Sequence, residues 1–110
     1  MNSGPLNELE VRKAVNTLLT AAPPGSTVLL FGSYARGDAR PNSDLDFLVI
    51  EPLVGERRAE IVRLSDALRA VGMYADILVV SESTFLEWAE EPGTVIYTAA
   101  REGKRFCATT

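Results

Sequence analysis

The sequence has no histidine and a single cysteine, Cys107. Without histidine, a Ser-His-Asp triad, a Cys-His pair and the usual histidine-containing zinc sites are excluded. With one cysteine, no disulfide can close within the chain. No apolar run approaches the ~20 residues that a membrane-spanning helix needs, and the N-terminus shows no signal-peptide pattern. No membrane is expected as a partner, and the cytoplasm is the expected compartment. An excess of basic residues is missing too: 11 Lys and Arg stand against 15 Asp and Glu, a net charge of −4. That sign argues against a protein that coats nucleic acid by neutralising phosphates, so direct nucleic-acid binding is not expected. A nucleotide remains compatible, because a divalent cation reconciles acidic side chains with an anionic substrate. Any acid–base or metal chemistry must fall to carboxylates, Lys, Tyr or Ser.

What is present suits one compact domain over 1–110. A chain of this length buries roughly two-thirds of the surface it exposes when unfolded, which allows one real core. Leu6, Leu9, Val15, Leu18 and Leu19 recur at near-helical spacing and predict a helix from about Leu6 to Ala21, stopped by Pro23, Pro24 and Gly25. Thr27 to Phe31 is a short β-branched and apolar run, read as a strand. Gly32 and Ser33 break it, Tyr34 to Gly37 reads as a short helix, and Asp38 to Ser43 has loop chemistry. Leu45 to Ile50 is nearly all apolar, a strand covered on both faces. Ile61, Leu64, Leu68 and Val71 form the stripe of a helix over Glu56 to Val71, with Gly72 where a C-terminal cap glycine belongs. Tyr74 to Val80 is the third strand. Ser83 is placed to cap a helix running to about Glu90, Thr94 to Glu102 fits a last helix, and Lys104 to Cys107 is a short extended end. The expected fold class is α/β (α+β): a small mixed three-stranded sheet with flanking helices.

Asp44 and Asp46 lie two apart at the start of the second strand, where the side-chain period of two aims both carboxylates at one face. Two like charges so placed are costly unless solvated, sharing a proton or binding a cation. Asp76 is the one acidic residue within the third strand. The intervening helix is long enough for a crossover, so the second and third strands can run parallel, which brings Asp76 beside the pair. If the first and second strands are antiparallel neighbours, Gly32-Ser33 reaches the same edge. Gly32 permits close backbone approach, and Ser33 offers a hydroxyl and an N–H at a helix start, which suits phosphate oxygens. Three carboxylates suit one or two Mg²⁺ ions. In that arrangement Asp44 and Asp46 hold both ions, Asp76 holds the catalytic one and lowers the pKa of an attacking hydroxyl, and Arg36 neutralises the leaving phosphates.

The run Gly32-Ser33-Tyr34-Ala35-Arg36-Gly37, followed by Ser43-Asp44-Leu45-Asp46, resembles the motif of the DNA polymerase β-like nucleotidyltransferase superfamily. In its shortness the chain is similar to the minimal nucleotidyltransferases (MNT), antitoxins that accompany HEPN-domain toxins. The likeness runs from the first helix to Gly103. It implies the mixed-sheet nucleotidyltransferase fold and a metal-dependent transfer of a nucleoside monophosphate from a nucleoside triphosphate to a hydroxyl. For the antitoxin branch it implies transfer of AMP from ATP to a tyrosine of the toxin. Larger members carry extra domains that hold base and acceptor; here acceptor recognition must come from a partner or from a second copy of the chain.

Blander readings exist for the same residues. Asp44 and Asp46 also fit solvated positions at a strand entrance, Arg36 fits a surface ion pair with Asp38 or Asp44, and Ser43 fits a cap of its own loop as well as a phosphate ligand. Glu56, Arg57, Arg58, Glu60 and Arg63 read as the wet side of a helix, while Phe85, Leu86 and Trp88 read as core, with a contact surface for a partner as the alternative. Three functions are consistent with the whole: an adenylyltransferase acting on a protein hydroxyl, a silent module of the same fold that occludes a toxin, and a stand-alone transferase of a small molecule.

Overall fold

The computed structural model describes residues 5–108. The chain opens with α1 (Glu8–Ala21), whose start is fixed by a reciprocal cap: the Asn7 side chain accepts the Glu10 N–H, and the Glu10 carboxylate accepts the Asn7 N–H. This cap sets the helix start at Glu8 rather than at Leu6. Next come β1 (Thr27–Phe31), the single turn α2 (Ser33–Arg36), β2 (Leu45–Glu51), α3 (Arg57–Ala70) and β3 (Ala75–Ser81). The chain ends with α4 (Glu82–Trp88), α5 (Val95–Glu102) and β4 (Lys104–Cys107). No helix among the described residues is long and apolar enough to cross a membrane.

The sheet has four strands in the order β3-β2-β1-β4, not three. The extended end at Lys104–Cys107 pairs antiparallel with the otherwise free edge of β1, Leu30 opposite Lys104 and Thr27 opposite Cys107. Phe106 packs under the core from there. β1 and β2 are antiparallel, and β2 and β3 are parallel, joined by the α3 crossover as expected.

One face of the sheet packs on α1 and α3 through Val28, Leu30, Phe47, Val49 and Val79, against Val15, Leu18, Leu64 and Leu68. The other face packs Leu29, Leu48, Ile50 and Val80 against Phe85 of α4 and Ala99 of α5. β2 is thus covered on both sides along Phe47–Ile50, which explains its near-continuous apolar run. The helices on the second face are short, and they leave the start of β2 and β3 open: Asp76 is exposed and Leu78 is 39% exposed. Two local expectations are corrected. Ser81, not Ser83, caps α4 by accepting the Thr84 N–H. Within α4 only Phe85 is buried, whereas Leu86 and Trp88 face outward, because seven residues give a helix only one inward stripe.

At the far end of β2 lies Glu51, 2% exposed, with an Oε2 that has no hydrogen-bond partner among the described residues. Burial pushes its carboxyl up to about 8, the neighbouring Glu60 carboxylate adds to the rise, and Arg63 opposes it. Glu60 itself is held low, first by Arg63, whose guanidinium meets it at 2.8 and 2.7 Å. The folded protein therefore keeps a proton on Glu51 that the unfolded chain releases from about pH 4.5 upward. Stability falls as pH rises from there to about 8, by at most ~1.4 kcal/mol per pH unit from this group. Melting temperature measured from pH 5 to 8 is expected to decline in the wild type and to flatten in Glu51→Gln. A wild-type curve that climbs across this window would reject the assignment.

Candidate active site

The parallel register of β2 and β3 sets Asp46 directly opposite Asp76. The antiparallel register of β1 and β2 sets Phe31 opposite Asp46, so Gly32, the next residue, follows at that carboxylate. The approach is close: a methyl group added at Gly32 would overlap Asp46 Oδ2 and stand 3.2 Å from its Cγ. Gly32 also has φ +79°, a conformation that disfavours any side chain. It ends β1 and starts α2, whose first residue is Ser33, half-buried. Tyr34 accepts the Leu6 N–H at 3.1 Å and ties the segment before α1 to this turn.

Asp46 is half-buried, and its carboxyl is raised, first by burial and then by the charges of Asp76 and Asp44, with Arg36 pulling the other way. The three aspartates thus share one electrostatic neighbourhood, with Asp46 within β2, Asp44 exposed just before it, and Asp76 exposed on the edge strand. Among the described residues no three acidic or sulfur side chains are drawn into a finished metal cage. The donor set nonetheless fits Mg²⁺. It offers hard carboxylate oxygens only, and its central member pays an electrostatic penalty that a cation beside it removes. Register sets Asp46 opposite Asp76, while Asp44 lies two residues earlier, just ahead of the paired strand.

Arg36, at the last position of α2, pairs with Asp38 at 3.4 Å as one reading of the sequence had it, not with Asp44. Its second partner is Glu102, at 3.3 Å. The same Glu102 oxygen accepts the Gly32 N–H at 3.2 Å. Glu102 was not singled out from the sequence, since the bonds span 66 and 70 residues. The one local hint is an acidic side chain in the last turn of a helix, where the dipole disfavours it. Ser43 accepts the Arg40 N–H at 2.8 Å and so caps its own loop in this structure.

The profile of the nucleotidyltransferase domain family matches residues 10–102. The chain belongs to this family. Among solved structures, this nucleotidyltransferase resembles a chain from "Crystal structure of the toxin-antitoxin with AMP-PNP", with a TM-score of 0.57 and 22% identity over 94% of this chain and 75% of that one. Chains from two crystal structures of substituted forms of the MntA-HpeT toxin-antitoxin give TM-scores of 0.53 and 0.52, with 20% and 23% identity. Each covers 94% of this chain, and 75% and 74% of the other. At these identities the likeness establishes the fold. No curated protein matches the sequence of this nucleotidyltransferase.

Gly32 makes a sensitive probe of the site. Gly32→Ala forces a methyl group against the Asp46 carboxylate at positive φ, and urea denaturation should show a loss of roughly 1–3 kcal/mol. A stability within a few tenths of wild type would mean that the turn does not press on Asp46.

Proposed function

We propose that this protein transfers AMP from ATP to a hydroxyl of a partner protein, using Mg²⁺, and that it serves as the antitoxin of a toxin–antitoxin pair. The observation that carries this reading is the register that sets Asp46 against Asp76 with Gly32 pressed on the same carboxylate. The family supports nucleotidyl transfer in general, and the toxin–antitoxin setting of the structural neighbours supports a toxin as the acceptor. A HEPN-type toxin with a tyrosine acceptor is the partner this reading favours.

In this reading Asp44, Asp46 and Asp76 hold the metal, and Gly32, Ser33 and Arg36 receive the triphosphate. The turn's backbone N–H groups and the Arg36 guanidinium offer several donors to phosphate oxygens. Ser43 swings from its loop cap to a phosphate oxygen when nucleotide arrives. The acceptor oxygen bonds to the α-phosphorus while the bond from that phosphorus to the β-bridging oxygen breaks. Pyrophosphate leaves with the bonding pair, and the hydroxyl proton passes to Asp76 at the open edge strand. Bound Mg²⁺ supplies positive charge to the attacking and leaving oxygens. The open shelf beside Asp76 and the exposed Leu78 leaves room for a protein acceptor to come over the sheet edge.

The test asks whether an adjacent reading frame encodes a small helical protein, incubates that candidate toxin with this protein and Mg²⁺-ATP, and then weighs the candidate by mass spectrometry. A mass gain of AMP is expected, falling by about a hundredfold or more in Asp46→Asn and Asp76→Asn, the scale of losing one positioned polar group. Neutralisation of the toxin with no mass gain, unchanged in both variants, would replace transfer by simple occlusion.

A further inference from the structure

Glu102 lies where an anionic ligand of the turn would lie. Its Oε1 accepts from both the Gly32 N–H and Arg36 Nη1, at 3.2 and 3.3 Å. These are two of the donors assigned above to the triphosphate. A single carboxylate oxygen bridging a backbone N–H and a guanidinium reproduces what one phosphate oxygen does in such a turn.

The placement is not a by-product of helix formation. Glu102 sits at the C-terminal end of α5, where the partial negative charge of the helix opposes a carboxylate. Arg101 in the same turn offsets part of this, and the hydrogen-bond donors that meet the Glu102 carboxylate, Gly32 and Arg36, lie outside the helix. The backbone is also pinned. The Gly103 N–H caps α5 on Ala99, and a methyl group at Gly103 would overlap the Ala99 carbonyl oxygen and stand 3.1 Å from that of Leu30. The end of α5 is thereby held against β1, two residues short of Gly32.

We infer that Glu102 is an internal anion that occupies the phosphate turn before nucleotide binds and is displaced by the triphosphate. It keeps Gly32 and Arg36 oriented in the free protein, and it weakens nucleotide binding because its charge competes for the same donors and repels the incoming phosphates. This inference rests on Gly32–Arg36 being the triphosphate turn. Glu102 acts as a positioning residue and takes no part in bond making.

The test measures binding of inorganic tripolyphosphate and of a non-hydrolysable ATP analogue, each with Mg²⁺, by calorimetry to the wild type, Glu102→Gln and Arg36→Gln. Glu102→Gln keeps the side-chain shape without its charge, and both ligands should bind about two- to fivefold more tightly, the range of one partly exposed ion pair. Arg36→Gln should weaken both. In the wild type, with the Glu102 carboxyl followed by ¹³C NMR, tripolyphosphate should shift that resonance toward the position of an exposed glutamate and move the Gly32 amide. Should the wild type bind while Glu102→Gln binds equally or less well, or the Glu102 resonance stay fixed at saturation, Glu102 is not a competitor and the triphosphate turn still stands. If no form binds either ligand, the turn assignment falls, and this inference with it.

Discussion

Asp46 and Asp76 face one another across two hydrogen-bonded strands, and much of the architecture serves to make that like-charge pairing tolerable. A carboxylate half-buried beside two others is unfavourable in the ionised form, as the raised Asp46 carboxyl records. The fold meets the cost by leaving the start of β3 at an open sheet edge, where Asp76 remains in water. It also turns the chain at Gly32 so that Arg36 comes near enough to oppose the charge. An apolar pair at these positions would bring no anionic cluster to the sheet rim, and at Asp76 it would expose apolar surface to water.

The division of the sheet follows from helix length. α1 and α3, 14 residues each, cover one face from end to end. α4 and α5, with 7 and 8 residues, cover only part of the other, so the same strands are core at Ile50 and Val80 and open at Asp46 and Asp76. Glu51 and Asp46 show how differently one strand can treat a carboxyl. At the closed end Glu51 is kept neutral near pH 7 by enclosure, while at the open end Asp46 has solvent and a guanidinium within reach.

Much of this was legible in residue order. The apolar run Leu45–Ile50 announced a strand buried on both faces, the Ile61-Leu64-Leu68 stripe announced the crossover, and together they implied a parallel pair carrying Asp46 beside Asp76. The glycine at 32 was readable because Gly-Ser is a common turn and stands here directly after a strand. β4 was less readable: Lys104, Arg105, Phe106 and Cys107 show no alternation, and their strand character comes from the free edge of β1. Trp88 and Leu86 misled because apolar identity does not say how many faces a seven-residue helix can bury. Glu51 was not legible at all, and Glu102 only as an acidic residue at a helix end that disfavours it. Their character depends on neighbours supplied by the fold, Glu60 and Arg63 for the first, Gly32 and Arg36 for the second.

The crowding at Gly103 has a kinetic consequence. A side chain at residue 103 would crowd the Ala99 and Leu30 carbonyl oxygens, so the end of α5 lies close against β1, and rotation about side-chain bonds is enough to move the Glu102 carboxylate off Gly32 and Arg36. Rotamer changes of partly exposed side chains take picoseconds to nanoseconds, against microseconds to milliseconds for collective rearrangement. The proposed displacement of Glu102 belongs to the faster class, since it calls for no backbone rearrangement.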